Sequence, residues 1–133
     1  MGLNFLLNTG PMGTGDLEPL AYENMAKLSA WMKVNGESIH GTRALQGKET
    51  ASVPATTKGD VRYLYLLPVI KGENPPAPAQ VSMTGLDGTY QAQLLDDGKM
   101  LPVTRDGDTL VVARPEGVVA NTVRVIKLSP VGK

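Results

Sequence analysis

The sequence predicts a mainly β protein: an antiparallel β-sandwich preceded by one strand and one α-helix. Three observations predict it. Apolar residues recur at three-to-four spacing between about residues 18 and 35 and at no later point. From about Glu49 onward the periodicity changes to two, the mark of strands with a buried face. Turn pairs of Asp and Gly then interrupt the chain at short intervals, as they do in sandwiches.

Residues 3 to 9, "LNFLLNT", form a short apolar run bounded by the turn-forming "GPMGTGD", and read as a buried strand leaving into a loop. A helix follows. Asp16 or Glu18 can cap it and Pro19 suits its first turn. Leu17, Leu20, Ala21, Met25, Leu28, Trp31 and Met32 make one buried face, while Glu23 and Lys27 form an outward pair. Gly36, after Asn35, is placed to end the helix in the left-handed conformation.

Strands are expected near 50–57, 61–70, 79–85, 89–95, 100–105, 109–114 and 122–128. Between them stand "KGD" at 58–60, "DG" at 87–88, "DDG" at 96–98 and "DGD" at 106–108, each supplying Gly for positive φ and Asp for local hydrogen bonds. The Pro-rich "GENPPAPA" segment, 72–79, is expected to carry the chain from one sheet to the other. A strand, a Gly-rich loop and a helix make a βα unit, which normally belongs to a parallel sheet. This one has no parallel neighbour, so the chain reads as beginning inside a larger architecture.

Composition narrows the function classes. At 133 residues the chain suffices for one compact domain with a core. Thirteen basic residues balance thirteen acidic ones, leaving no electrostatic footprint for nucleic acid or anionic lipid. Absence of cysteine rules out a disulfide framework and a thiolate metal site. No apolar run is long enough to span a bilayer.

The stretch "NFLLNTGPMGTGDL", followed by a helix ending "AWMKVNGESIHGTR", resembles the end of the catalytic barrel in the α-L-fucosidases of glycoside hydrolase family 29. There a last strand of the form N-L-L-L-N-x-G-P-x-x-x-G precedes a helix ending K-W-L-K-V-N-G-E-x-I-Y-G-T-R-P-W. "TTKGDVRYLYLL" is similar to a K-G-D-x-x-Y segment of that family, and "LLDDGKMLPVTRDGDTLVVARPEG" to its closing strands. His40 stands where the family has tyrosine, Ala44 and Leu45 where it has Pro-Trp, and Ala30 where lysine is common.

The resemblance implies a division at residue 45. Residues 1–45 would be the terminal strand and helix of a (β/α)8-type barrel, incomplete here, and residues 46–133 a C-terminal β-sandwich. It implies a retaining exo-glycosidase that removes terminal α-L-fucose from glycans. An aspartate nucleophile and a glutamate acid/base would stand roughly 5 Å apart. Both belong to upstream segments, so no catalytic residue is expected in this chain, and no metal or organic cofactor is implied. The implied partners are a fucosylated glycan and the catalytic barrel of the same polypeptide. Self-association through residues 1–35 is expected where that barrel is missing. Enzymes of this type often work in the periplasm or outside the cell.

Several residues invite sharper readings. "GPMGTG" lacks the glycine spacing of a dinucleotide site and any Gly-Lys-Ser/Thr, so it reads as a turn at a barrel mouth. Ligands of such barrels bind at the C-terminal ends of the strands, which singles out Asn8 and Thr9 as substrate-adjacent. His40, the lone histidine, is expected as a connector packed between barrel end and sandwich rather than a metal ligand. The "DGD" and "DDG" turns lack the further oxygen donors of a calcium loop. Tyr63, Tyr65 and Tyr90 could form a sugar platform, which would make the chain an autonomous carbohydrate-binding module, or the sandwich could serve structure alone. But "VRYLYLLPVI" is apolar on both faces, as a central strand requires.

Overall fold

The computed structural model describes residues 6–68, 79–115 and 122–132. Among them are one α-helix, α1 (Pro19–Asn35), a 3-10 turn (Gly36–Ser38) and ten strands. The strands are β1 (Arg43–Ala44), β2 (Thr50–Ala51), β3 (Ala55–Lys58), β4 (Val61–Leu66), β5 (Gln80–Thr84), β6 (Tyr90–Leu94), β7 (Met100–Leu101), β8 (Val103–Asp106), β9 (Thr109–Ala113) and β10 (Arg124–Pro130). They form a six-stranded sheet in the order β1-β3-β4-β10-β6-β7 and a four-stranded sheet in the order β2-β5-β9-β8. Every pairing is antiparallel.

The core lies between the sheets. Leu64 and Leu66 of β4, Ala92 and Leu94 of β6, and Ile126 and Leu128 of β10 face Val81 and Met83 of β5 and Leu110 and Val112 of β9. Alternate residues along each strand enter this layer, because side chains of a strand point to opposite faces in turn. Each buried leucine or isoleucine contributes about 1.5–3 kcal/mol by leaving water. At the rim of the layer, Arg62 closes a two-pronged ion pair with Glu49, Nε to Oε2 at 2.9 Å and Nη2 to Oε1 at 2.6 Å. Hydrogen bonding to that carboxylate holds the guanidinium charge more firmly than usual.

Two expected strands are each divided, and proline divides both. The 50–57 segment splits into β2 in the smaller sheet and β3 in the larger, with Pro54 between them. The 100–105 segment splits into β7 and β8 around Pro102, again in different sheets. Proline has no N–H to donate, so it ends one ladder while its carbonyl can still serve another. Pro54 O accepts from Tyr65 N–H at 2.9 Å, and Pro102 O from Ala113 N–H at 3.3 Å. The 72–79 crossing falls almost wholly outside the described residues; β4 and β5 on either side of it do lie in different sheets.

The N-terminal part departs further from expectation. Of the anticipated strand at 3–9, residues 3–5 lie outside the described set, and residues 6–9 form no strand. Leu6 is 80% exposed, because no described element of this chain offers a parallel edge for it to pair with. The helix begins as expected with Pro19 in its first turn, but neither Asp16 nor Glu18 caps it: Glu18 occupies the cap position without a side-chain hydrogen bond. The Glu23–Lys27 pair forms at 2.5 Å. Gly36 is right-handed, at φ −59°, and continues the helix into the 3-10 turn. A Cβ there would sit 3.4 Å from the His40 ring, at ordinary van der Waals distance, so the site has room for a small side chain.

Candidate functional site

The most elaborate polar site among the described residues is the junction where α1 ends on the outer face of the six-stranded sheet. Tyr63 and Tyr65 of β4 and Val125 of β10 point away from the main core and form a second buried cluster, with Trp31, Val61, Leu95 and Val123 packed on it. Trp31 anchors the helix there, its indole N–H donating to Val123 O at 2.7 Å. Asn35, 3% exposed, donates from Nδ2 to Trp31 O at 3.1 Å and so closes the last turn.

The turn after the helix is then clamped by the tyrosine hydroxyls. Tyr65 donates to Ser38 O at 2.5 Å, and Thr56 Oγ1 reaches the same carbonyl at 3.0 Å. Tyr63 donates to Glu37 Oε2 at 3.2 Å, and Lys127 Nζ donates to both carboxylate oxygens at 3.1 and 2.9 Å. Lys58 Nζ adds a bond to His40 O at 3.1 Å. Burial first, and the Glu37 charge second, push the Tyr63 hydroxyl up to about 12.

This arrangement accounts for the tyrosines. Tyr63 and Tyr65 are buried structural groups, so they offer no sugar platform; Tyr90 is half-buried and packs against the main core. Sequence reasoning placed these rings in packing but missed that their hydroxyls reach Glu37 and Ser38. The available signal was the apolar character of both faces of β4, which requires some element outside the sandwich to cover its outer face. His40 is exposed, against expectation; its backbone carbonyl makes the contact rather than its ring. Asn8 and Thr9 are exposed and stand apart from the junction. No group of three or more metal-ligating side chains occurs among the described residues.

Beside the clamp runs an apolar groove of about 550 Å³ between α1 and the sheet, lined by Leu28, Trp31, Ile39, Tyr65, Leu67 and Val123 among others. The expected buried face of the helix is only partly buried. Trp31 packs on the sheet and Met32 is half-buried, while Leu20, Met25 and Leu28 are exposed. The sandwich reaches the C-terminal end of α1 and leaves the rest uncovered.

No protein-family model matches the chain. Tissue α-L-fucosidase of Homo sapiens is 32% identical over 98 residues, 66% of this chain and 21% of that protein. Among solved structures, α-L-fucosidase isoenzyme 1 from Paenibacillus thiaminolyticus superposes with a TM-score of 0.72 and 28% identity, over 95% of this chain and 30% of that one. A family 29 α-L-fucosidase from Bacteroides thetaiotaomicron, solved as a trapped covalent intermediate with 2-fluoro-fucosyl fluoride, shares the fold with a TM-score of 0.70 and 21% identity. The chain spans less than a third of the length of each of these relatives. Sequence and fold together identify it as a partial, C-terminal segment of the α-L-fucosidases of glycoside hydrolase family 29.

Proposed function

We propose that this chain is the non-catalytic C-terminal part of a retaining α-L-fucosidase, contributing the barrel end at residues 1–45 and a bracing β-sandwich at 46–133. The observation that carries the reading is the likeness to the Paenibacillus enzyme over nearly the whole chain, sequence and structure alike. The trapped covalent intermediate of the Bacteroides relative accords with a two-step, retaining mechanism. In that mechanism one carboxylate forms the glycosyl bond and a second acts as acid and then base; we assign both to the polypeptide preceding this segment. Asn8 and Thr9 would lie near the fucose-binding face, at the C-terminal end of the last barrel strand. A terminal fucose on a glycan is the proposed substrate of the whole enzyme.

The helix–sheet clamp supports the bracing role. Tyr63, Tyr65 and Lys127 of the sandwich all grip the turn that ends α1, so the sandwich fixes the position of that helix. A chromogenic α-L-fucoside tests the division of labour. The 133-residue chain alone is expected to give no turnover, because a retaining mechanism needs two carboxylates held at fixed separation. Saturable turnover by the pure chain, abolished by changing one of its own aspartates or glutamates, would overturn the reading.

A further inference from the structure

Asn35 and Gly36, where α1 runs into the 3-10 turn, form the only Asn-Gly pair in the sequence. We infer that this pair is a deamidation site which the clamp holds inert, and that its conversion to aspartate or isoaspartate unfastens α1 from the sandwich. The reaction is intramolecular. The Gly36 amide nitrogen, its proton removed by hydroxide, attacks Asn35 Cγ; the Cγ–Nδ2 bond breaks, and Nδ2 leaves as ammonia after taking a proton from water. Water then opens the succinimide at one of its two carbonyls, giving aspartate or, with the main chain rerouted through the side chain, isoaspartate. Glycine in second place favours closure of the ring, because no side chain hinders its nitrogen and the backbone turns freely. The fold does not itself require glycine at 36, where φ is −59° and a Cβ would have room.

Three features of the folded junction oppose closure. Asn35 has a ψ of 1°, which eclipses the Gly36 nitrogen with Asn35's own nitrogen, whereas the ring needs it on the side of the Cβ. The attacking and leaving nitrogens are both tied into the last helical turn: Gly36 N–H donates to Met32 O, and Asn35 Nδ2 donates to Trp31 O at 3.1 Å. Asn35 Oδ1 is buried with no hydrogen-bond partner among the described residues, so the negative charge that attack builds on that oxygen finds no donor. Rotating ψ would carry residues 36–38 with it, and Tyr65 and Thr56 grip that turn through Ser38 O. Closure therefore waits on release of the turn. The product does not fit where Asn35 fitted. Either acid loses the donor to Trp31 O and sets a carboxylate beside that carbonyl, in a site only 3% exposed. Isoaspartate also lengthens the main chain by a methylene, which pulls Glu37 and Ser38 out of register with Tyr63, Lys127 and Tyr65.

Peptide mapping by mass spectrometry follows the amide-to-acid mass gain at residue 35 of the 133-residue chain during incubation at mildly alkaline pH. The rate in buffer should be at least about tenfold below the rate in guanidinium chloride, because only the opened fraction reacts. Tyr65→Phe, which removes one of the two grips on Ser38 O, should raise the rate in buffer severalfold and leave the rate in denaturant unchanged. Gly36→Ala should slow conversion in denaturant, marking the Gly36 nitrogen as the attacking group. The purified isoaspartate form should melt lower than the parent, and the emission of Trp31, the sole tryptophan, should move to longer wavelength as the ring leaves the sheet. Equal rates in buffer and denaturant, no acceleration by Tyr65→Phe, or unslowed conversion in Gly36→Ala would overturn the protected site. An isoaspartate form with the parent's melting temperature and emission would overturn the unfastening.

Discussion

Tyr63 is buried along its ring and tied at its hydroxyl, and both properties are open to measurement. Its folded pKa lies above the unfolded value of 10, so the fold favours the protonated phenol. That contribution to stability is complete below pH 10 and is lost as the pH rises to about 12. Denaturant melts over this range should show a fall that Tyr63→Phe reduces, while Tyr63→Phe at pH 7 should cost about 1 kcal/mol for the lost hydrogen bond. A pH dependence equal in the two proteins would remove Tyr63 from this role. In the main core, Leu66→Ala should cost about 2–5 kcal/mol, as truncations at buried leucines do. Asp87→Ala, in an exposed turn, should change stability by less than about 0.5 kcal/mol. The tyrosines were legible as buried from the residues around them, whereas their partners were not. Glu37 and Ser38 lie 26 and 27 positions away from Tyr63 and Tyr65, and no local pattern encodes a contact of that span.

At the scale of elements, periodicity and turn residues located most of the strands, because a period of two and an Asp-Gly break are both local signals. What stayed hidden was which sheet each piece joins. Pro54 and Pro102 mark the two places where an apparently continuous strand changes sheet, and the sequence displays the proline without the partner that takes over the ladder. The helix was legible in position and in its Glu23–Lys27 pair, but the face expected to be buried is not covered by the sandwich alone. One turn carries a sharper prediction. Gly85, at φ 78°, ends β5 with room for no side chain: a Cβ would stand 2.8 Å from Lys48 O in the backbone. Gly85→Ala combines left-handed strain with a backbone clash and should cost about 2 kcal/mol or more by equilibrium unfolding. An unchanged midpoint would mean that the segment around Lys48 gives way freely.

For the whole molecule, the two halves of the chain differ in self-sufficiency. The sandwich closes its own core between two sheets, while α1 is anchored at one end and bare over the rest. Exposed Leu6, Leu20, Met25 and Leu28 should drive the 133-residue chain to self-associate, with light scattering showing a mass that rises with concentration. Leu28→Asp should weaken that association, and a chain that stays monomeric at all concentrations would show that the stripe needs no cover. The family was legible from the fixed Asn, Gly and Pro positions before and after the helix, which set backbone geometry as well as side-chain chemistry. The most direct test of the account is the turnover of a chromogenic α-L-fucoside by a full-length chimera, the Paenibacillus enzyme with its matching segment replaced by this chain. A C-terminal fucosidase segment predicts saturable hydrolysis by the chimera, because the nucleophile and the acid/base are supplied by the Paenibacillus portion. A chimera that folds yet releases no fucose would contradict it.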